Sequence, residues 1–385
     1  MADDWKNGGF GLYVHWPFCE AKCPYCDFNS HVRAEIDQNA WLGAYLSELQ
    51  RVGPLTSDRV LNSIFFGGGT PSLMSPATVH AVVEEACRHW TPANDMEVTL
   101  EANPGSVESG RFQGYGDAGV TRISMGVQAL NDHDLRRLGR IHTVAEAQKA
   151  FDIARGCFAN VSFDLIYARQ DQSVSDWRDE LDQALAMAVD HLSLYQLTIE
   201  QGTAFGDRYA RGGLKGLPDD DLAAEMYEVT QDICDKHGYP AYEVSNHAVP
   251  GRECRHNLIY WSYGDYVGIG PGAHGRVTLE GQRFATEAAR MPDTWLSDVG
   301  KGKGWSRVDR LLPSEQAQEY VLMAMRLPYG VEKQRFFELS GQYPASGAVA
   351  ELVDLGMVTE TPDRIAATPP GRMVLNAVID KLLSE

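Results

Sequence analysis

The sequence predicts an α/β protein, with a parallel sheet crossed over in the right-handed sense and a mostly helical C-terminal appendage. Three observations carry this. Strand-like runs rich in β-branched and aromatic residues begin near Gly11, Val60, Met96, Thr121, Asn160 and His191, as in VLNSIFF, MEVTLEA and HLSLYQLT. Helical patterns separate them. Glycines and polar residues gather where the strands end, which is where such sheets keep their functional groups. Six alternations fit an open or partial barrel, or a doubly wound sheet.

The intervening helices have explicit start signals. Gln38 to Val52 puts Trp41, Leu42, Tyr45, Leu46 and Leu49 on one face. Ser75 precedes Pro76 as an N-cap before a proline at the first helical position. Thr143 and Glu146 form a capping-box pair, and that helix is expected to end at Gly156. Residues 219–237 form another, closed by Gly238. The Lys301-Gly302-Lys303-Gly304 stretch reads as a linker. Beyond it, helices are expected at 314–326, 332–339 and 346–355, then a β-ribbon at 357–360 and 364–367 and a last helix at 370–383.

Composition narrows the function. The chain has 385 residues, 44% apolar and 23% charged, enough to bury a sizeable core. Fifty-three acidic against 34 basic residues give a net charge of −19, which argues against a nucleic-acid partner. The appendage resembles a winged helix, but residues 301–385 hold ten Lys/Arg against eleven Asp/Glu and no basic stripe, so a lid or docking module is expected there. No apolar run reaches the ~20 residues of a membrane span, and the N-terminus lacks the pattern of a signal peptide. A cytoplasmic chain is expected, neither integral to a membrane nor disulfide-linked, and clustered cysteines then point to metal or catalysis.

Three of the seven cysteines cluster as Cys19, Cys23 and Cys26 in HWPFCEAKCPYCDF, a C-x3-C-x2-C loop after a short strand. Zinc would need a fourth ligand, and the nearest candidates, His15 and His31, stand at no finger-like spacing. Three thiolates on one loop suit a cubane iron–sulfur cluster with one iron left open. Further along, Gly67-Gly68-Gly69-Thr70-Pro71 lets a backbone approach a ligand closely. Glu101-Ala102-Asn103-Pro104, Gly126-Val127-Gln128 and Asp164 sit at equivalent strand ends.

These residues resemble the radical S-adenosylmethionine superfamily. The resemblance implies a partial (βα)6 barrel in which Cys19, Cys23 and Cys26 hold a [4Fe–4S] cluster whose open iron chelates S-adenosylmethionine. It further implies that Tyr13 supports the cofactor and that Tyr25 lies within the cluster loop. Gly68, Gly69 and Thr70 would line the methionine end. Glu101, Gln128, Arg140 and Asp164 would contact ribose, carboxylate or a second cofactor molecule, and Thr198 and His274 would lie near the adenine.

Tyr13-Val14-His15-Trp16-Pro17-Phe18-Cys19, FGGGTPS, LEANP, SMGVQ and LGRIH narrow the likeness to the anaerobic coproporphyrinogen III oxidase group. Oxidases of that group carry a further cysteine just after the third. Here Cys26 is followed by Asp27-Phe28-Asn29-Ser30, which looks like the haem chaperone HemW branch, as does HNxxYW at His256-Asn257-Leu258-Ile259-Tyr260-Trp261. The resemblance implies a core over 1–240, an HNxxYW segment and linker over 241–300, and the appendage over 301–385. It also implies a haem chaperone with acceptor haemoproteins, respiratory ones among the candidates, and a reductant for the cluster; the alternative is oxidative decarboxylation of coproporphyrinogen III. For haem, His256 is either the iron ligand or a core histidine that orients its loop. Cys254 is a softer alternative ligand, and Tyr260 and Trp261 would cover the ring. One local departure stands out: where the family usually has a Pro-Gly turn after Asp164-Leu165-Ile166-Tyr167, this chain has Ala168-Arg169-Gln170.

Overall fold

Strands β1 (Phe10–Trp16), β2 (Val60–Gly68), β3 (Thr91–Ala102), β4 (Arg122–Gln128), β5 (Asn160–Tyr167) and β6 (His191–Gln196) lie side by side in sequence order, every neighbouring pair parallel. The computed structural model describes residues 4–106 and 109–384. A three-residue strand, β7 (Asn246–Ala248), caps β6 antiparallel. On the other side of β1, β8 (Asp265–Ile269) adds a further parallel strand, followed by antiparallel β9 (His274–Leu279), β10 (Gln282–Ala288) and β11 (Trp305–Arg310). The 11-stranded sheet runs from β11 to β7 without closing, which makes it a partial barrel. Residues 246–310 thus extend the core sheet, and the Lys301–Gly304 stretch is a turn leading into β11 rather than an exit from the sheet. β3 begins at Thr91, five residues before Met96, with a register irregularity against β2 between Leu61 and Ser63.

The crossover helices start where their caps dictate. Asp37 accepts from the backbone of Asn39 and Ala40 before α1 (Gln38–Val52), and Ser75 from Thr78 before α2 (Pro76–His89). After α3 (Ser109–Asp117), the Thr143–Glu146 box opens α4 (Val144–Cys157). A second box, Ser173 with Asp176, opens α5 (Val174–Met187), and Asp219 caps α6 (Asp220–Lys236). Trp41, Tyr45 and Leu49 of α1 are buried, and Trp41 stacks on Trp295 with centroids 5.5 Å apart. Full burial of side chains this size contributes about 2–3 kcal/mol each. After α7 (Arg255–Trp261) the chain returns to the sheet.

The appendage has its own core. Helices α8 (Pro313–Ala324), α9 (Lys333–Ser340), α10 (Ser346–Asp354) and α11 (Leu375–Leu383) pack around Tyr320, Val321, Leu352, Ile365 and Ile379. Val331–Glu332 joins the expected ribbon, Val358–Glu360 and Arg364–Ala367, as a third strand. The last helix breaks at Val374, where φ −117° and ψ 33° interrupt what the sequence suggested was one helix. Among the described residues, no helix is long and apolar enough to cross a membrane.

A buried ionic clasp ties appendage to barrel. Asp4 accepts from Arg335 Nε at 2.8 Å and Nη2 at 3.0 Å, and from Arg283 Nη1 at 3.3 Å. Arg283 also donates to the carbonyls of Tyr263 and Gly264, and Arg335 to those of Ser262 and Tyr263. Removing one partner of a buried pair leaves the other charge uncompensated, at a cost of about 3–5 kcal/mol. Asp4→Ala is therefore expected to lower the unfolding midpoint and to expose residues beyond about 312 to limited proteolysis. An unchanged midpoint and digestion pattern would remove the clasp.

Candidate functional site

The cysteine loop is fastened to the sheet at both ends. Phe18–Cys19 pairs with His31–Val32 beneath it, and within it Cys26 N donates to Cys23 O at 3.1 Å. The β1–β2 pairing continues past the strands: Gly69 N donates to Trp16 O at 2.7 Å and Thr70 N to Phe18 O at 2.8 Å. Such proximity requires glycine. A Cβ on Gly69 would come within 2.6 Å of the Phe18 carbonyl oxygen, and one on Gly68, at φ +111°, within 2.5 Å of the His15 ring.

Cys19, Cys23 and Cys26 line one cavity together with Tyr25, Gly68, Gly69, Thr70, Glu101, Gln128, Arg140 and Asp164. Thr70 Oγ1 donates to Cys19 Sγ at 3.4 Å, and Arg140 Nη1 to Cys23 Sγ at 3.3 Å. Arg140 Nη2 holds Asn103 Oδ1 at 2.6 Å and Gly126 O at 2.7 Å, while Asn103 Nδ2 reaches back to Thr70 Oγ1 at 3.0 Å. One guanidinium thus links the cysteine loop, β4 and the turns after β2 and β3. Gln128 adopts φ +76°, a strained value for a residue with a Cβ and a common mark of a functional position. Glu101 accepts from Gly68 N at 3.1 Å, and Asp164 from Ser124 Oγ at 3.3 Å. Withdrawal from water, with Asp164 nearby, pushes Glu101 up to about 8; withdrawal from water also pushes Asp164 up to about 6.

The donor set fits the implied cluster. All three thiols are free of disulfides. Among the described residues no group of His, Cys, Asp and Glu is arranged to hold a single metal ion. His15 cannot complete a zinc site, because its ring nitrogens engage Tyr13 OH and Asn29 O, each at 2.9 Å. His31 Nε2 is held by Asn29 Oδ1 at 3.2 Å. Three separate thiolates facing a cavity suit three irons of a cluster. Beside them, carboxylates, an amide and open backbone provide partners for the amine and hydroxyls of S-adenosylmethionine.

Three expected contacts fall outside the cavity wall. Tyr13 lies behind it, its hydroxyl bound to His15. Thr198 is exposed: the chain leaves β6 with Leu197 and Ile199 turned towards a small apolar cluster, so the residue between them faces solvent. His274 stands exposed at the start of β9, 4.0 Å from Glu287. Conversely, Asn103, Ser124 and Gly126 line the cavity and were not singled out as site residues. Asn103 and Gly126 flank strand-end residues that were, and position alone could have included them.

The HNxxYW segment forms α7, and its geometry favours the core-histidine alternative for His256 over the ligand one. His256 is 1% exposed, with Nδ1 at 2.7 Å from Ser63 Oγ and Nε2 at 2.7 Å from Tyr260 OH, so neither nitrogen is open to iron. Burial pulls its ring down to about 3, a neutral imidazole. Tyr260 packs edge-on against His256 and Tyr266. Cys254 is buried, its thiol donating to Glu97 Oε1 at 3.3 Å. Trp261 alone of the four reaches an open cleft. The departing turn after β5 places Ala168 at φ +58° and buries Arg169 between Asp134 and Glu180, at 2.8 and 2.5 Å.

The Radical SAM superfamily model matches residues 13–184. The chain is 37% identical to the haem chaperone HemW of Haemophilus influenzae, over 97% of this chain and 98% of that protein. It is 36% identical to HemW of Escherichia coli over the same shares, and 38% identical to a mouse mitochondrial radical S-adenosyl methionine domain-containing protein 1, of which it covers 87%. Among solved structures, coproporphyrinogen III oxidase from Escherichia coli superposes with a TM-score of 0.82 at 19% identity, over 99% of this chain and 92% of that one, a likeness of fold. The chain belongs to the radical S-adenosylmethionine superfamily and, within it, to the HemW family. Membership brings a [4Fe–4S] cluster and S-adenosylmethionine as cofactors.

Two outcomes are expected. Changing Cys19, Cys23 and Cys26 together to Ser should abolish bound iron and sulfide after anaerobic reconstitution, whereas single Ser variants of Cys87, Cys157, Cys234 and Cys254 should keep both. Full iron content in the triple variant would remove these ligands. In cofactor-free protein, a carboxyl raised from an ordinary 4.5 to about 8 costs stability as pH rises through that window, because the native state holds the proton more tightly than the unfolded chain. Glu101→Gln should therefore raise the unfolding temperature, relative to the parent, progressively between pH 4.5 and 8. A pH-independent difference would refute the shift.

Proposed function

We propose that this chain is a haem chaperone, which binds haem and hands it to acceptor haemoproteins, respiratory ones among them. Its near full-length identity to bacterial proteins of that name is the observation that carries the reading. The cluster loop supports it: Cys26 is followed by Asp27 and the exposed Phe28, with no oxidase-type thiol. Seven free cysteines suit a reducing cytoplasm, where a reductant would serve the cluster.

Cys19, Cys23 and Cys26 are the cluster's ligands in this reading, with Gly68, Gly69, Thr70, Glu101, Gln128 and Asp164 around S-adenosylmethionine. The bound cluster supplies one-electron chemistry at the sulfonium, and the protein supplies placement and shielding. Arg140 keeps Cys23, Asn103 and β4 in one arrangement. Glu101 accepts hydrogen bonds from the ligand's hydroxyls. Its loss leaves them unpaired, at about 1–3 kcal/mol.

The test sets two activities side by side in the anaerobically reconstituted protein. Haem should bind with a stable Soret band and pass to an apo-haemoprotein, while coproporphyrinogen III with S-adenosylmethionine and a reductant should give no protoporphyrinogen. Robust decarboxylation without haem transfer would replace the chaperone with an oxidase.

A further inference from the structure

A second cleft opens between the edge of the sheet and the appendage. It measures about 700 Å³, within the ~300–1,000 Å³ range of sites for drug-sized ligands. Tyr195 at the end of β6, the 243–246 segment before and into β7, Asn257 and Trp261 of α7, Arg326 after α8 and the 372–377 segment form its wall. The cysteines of the first cavity take no part in it.

Its chemistry is specific. In a chain of net charge −19, two guanidiniums, Arg326 and Arg372, face the same cleft. Among the described residues, neither pairs with a carboxylate. Arg326 donates to the Leu322 carbonyl and lies over the Trp261 ring, whose centroid is 5.3 Å from its guanidinium carbon, and Arg372 lies beside Tyr227 and His247. Glu243, the one carboxylate in the wall, accepts from Ser245 N and Asn246 Nδ2 at a single oxygen, Oε1, so the two guanidiniums outnumber it. The indole Nε1 of Trp261 is shielded from solvent and has no partner. Met373, Val374, Leu375 and Ala377 supply an apolar side. Two unpaired arginines beside an indole and an aliphatic wall match a flat, largely apolar ligand with two carboxylates.

The helix geometry explains why HNxxYW contains what it does. On α7, His256 and Tyr260 are four residues apart and share the inward face, where they bond each other and His256 also bonds Ser63. Asn257 and Trp261, also four apart, share the face turned to the cleft. The motif is two pairs with two tasks.

We infer that haem is seated in this cleft, its propionates on Arg326 and Arg372 and its ring against Trp261 and the 373–375 segment. His256 is a positioning residue that fixes α7. The inference rests on the chaperone reading and places its cargo outside the cluster cavity.

Esterification separates the two claims. The reconstituted protein should bind haem at least tenfold more tightly than haem dimethyl ester, which has no free carboxylates. The Arg326→Gln/Arg372→Gln variant should lose this preference and bind haem ten- to hundredfold more weakly, with cluster content unchanged. The Arg326→Lys/Arg372→Lys variant should recover much of it, which a folding defect would not allow. Trp261→Leu should weaken haem and its ester alike, and His256→Gln should leave the Soret maximum in place. Equal affinity for haem and ester in the parent, or full haem affinity and preference in the double Gln variant, would overturn the cleft while leaving the chaperone reading intact. A Soret shift in His256→Gln would overturn the positioning role. Failure of the parent to bind haem at all would overturn both readings.

Discussion

The close approach of the Gly68 and Gly69 backbone to Trp16, Phe18 and His15 is the constraint on which the site depends. It extends the β1–β2 ladder beyond the sheet, so the cysteine loop leaves β1 already bonded to the turn that follows β2. Thr70 and Arg140 can then reach Cys19 and Cys23, and Asn103 closes the circuit between them. A side chain at either glycine would collide with the Phe18 backbone or the His15 ring, and His15 cannot retreat, because both its nitrogens are engaged. The cavity is thus preorganised by backbone contacts, which hold three thiols open without a single-metal geometry.

The sheet edge and the appendage do something different. There Arg326, Arg372 and Glu243 share one cleft with the apolar Met373, Val374, Leu375 and Ala377. Strands β8 to β11 and the Asp4 clasp carry the appendage, and α7 lines the opening between the two bodies. Cofactor chemistry and cargo holding can then occupy separate places in one chain, which a fold shared with an oxidase permits, since a fold does not dictate the function of its sites.

Much of this was legible in the sequence, for identifiable reasons. The six parallel strands, the helix from Gln38 and the helix starts at Ser75, Thr143 and Asp219 were readable because alternation, periodicity and caps are local signals. So were the cysteine loop and the strand-end residues, whose spacing needs no tertiary knowledge. The membership of residues 246–310 in the sheet was not, because β7 is three residues long and the antiparallel extension follows a seven-residue helix. The choice between ligand and core histidine for His256 stayed open in the sequence because only the fold brings Ser63, 193 residues away, against its ring. Thr198 stands outside the cavity wall because the face a residue presents after a strand ends is set by packing, here by Leu197 and Ile199. The Asp4–Arg335 pair spans 331 residues and leaves no local trace.

The separation of the two sites is the central claim, and one measurement tests it most directly: haem titration of the protein in which Cys19, Cys23 and Cys26 are all Ser. With the cleft as the haem site, this clusterless protein should bind one haem with the affinity and Soret maximum of the parent. Loss of haem binding together with the cluster, in a variant that unfolds at the parent's temperature, would show that cargo and cofactor share a single cavity.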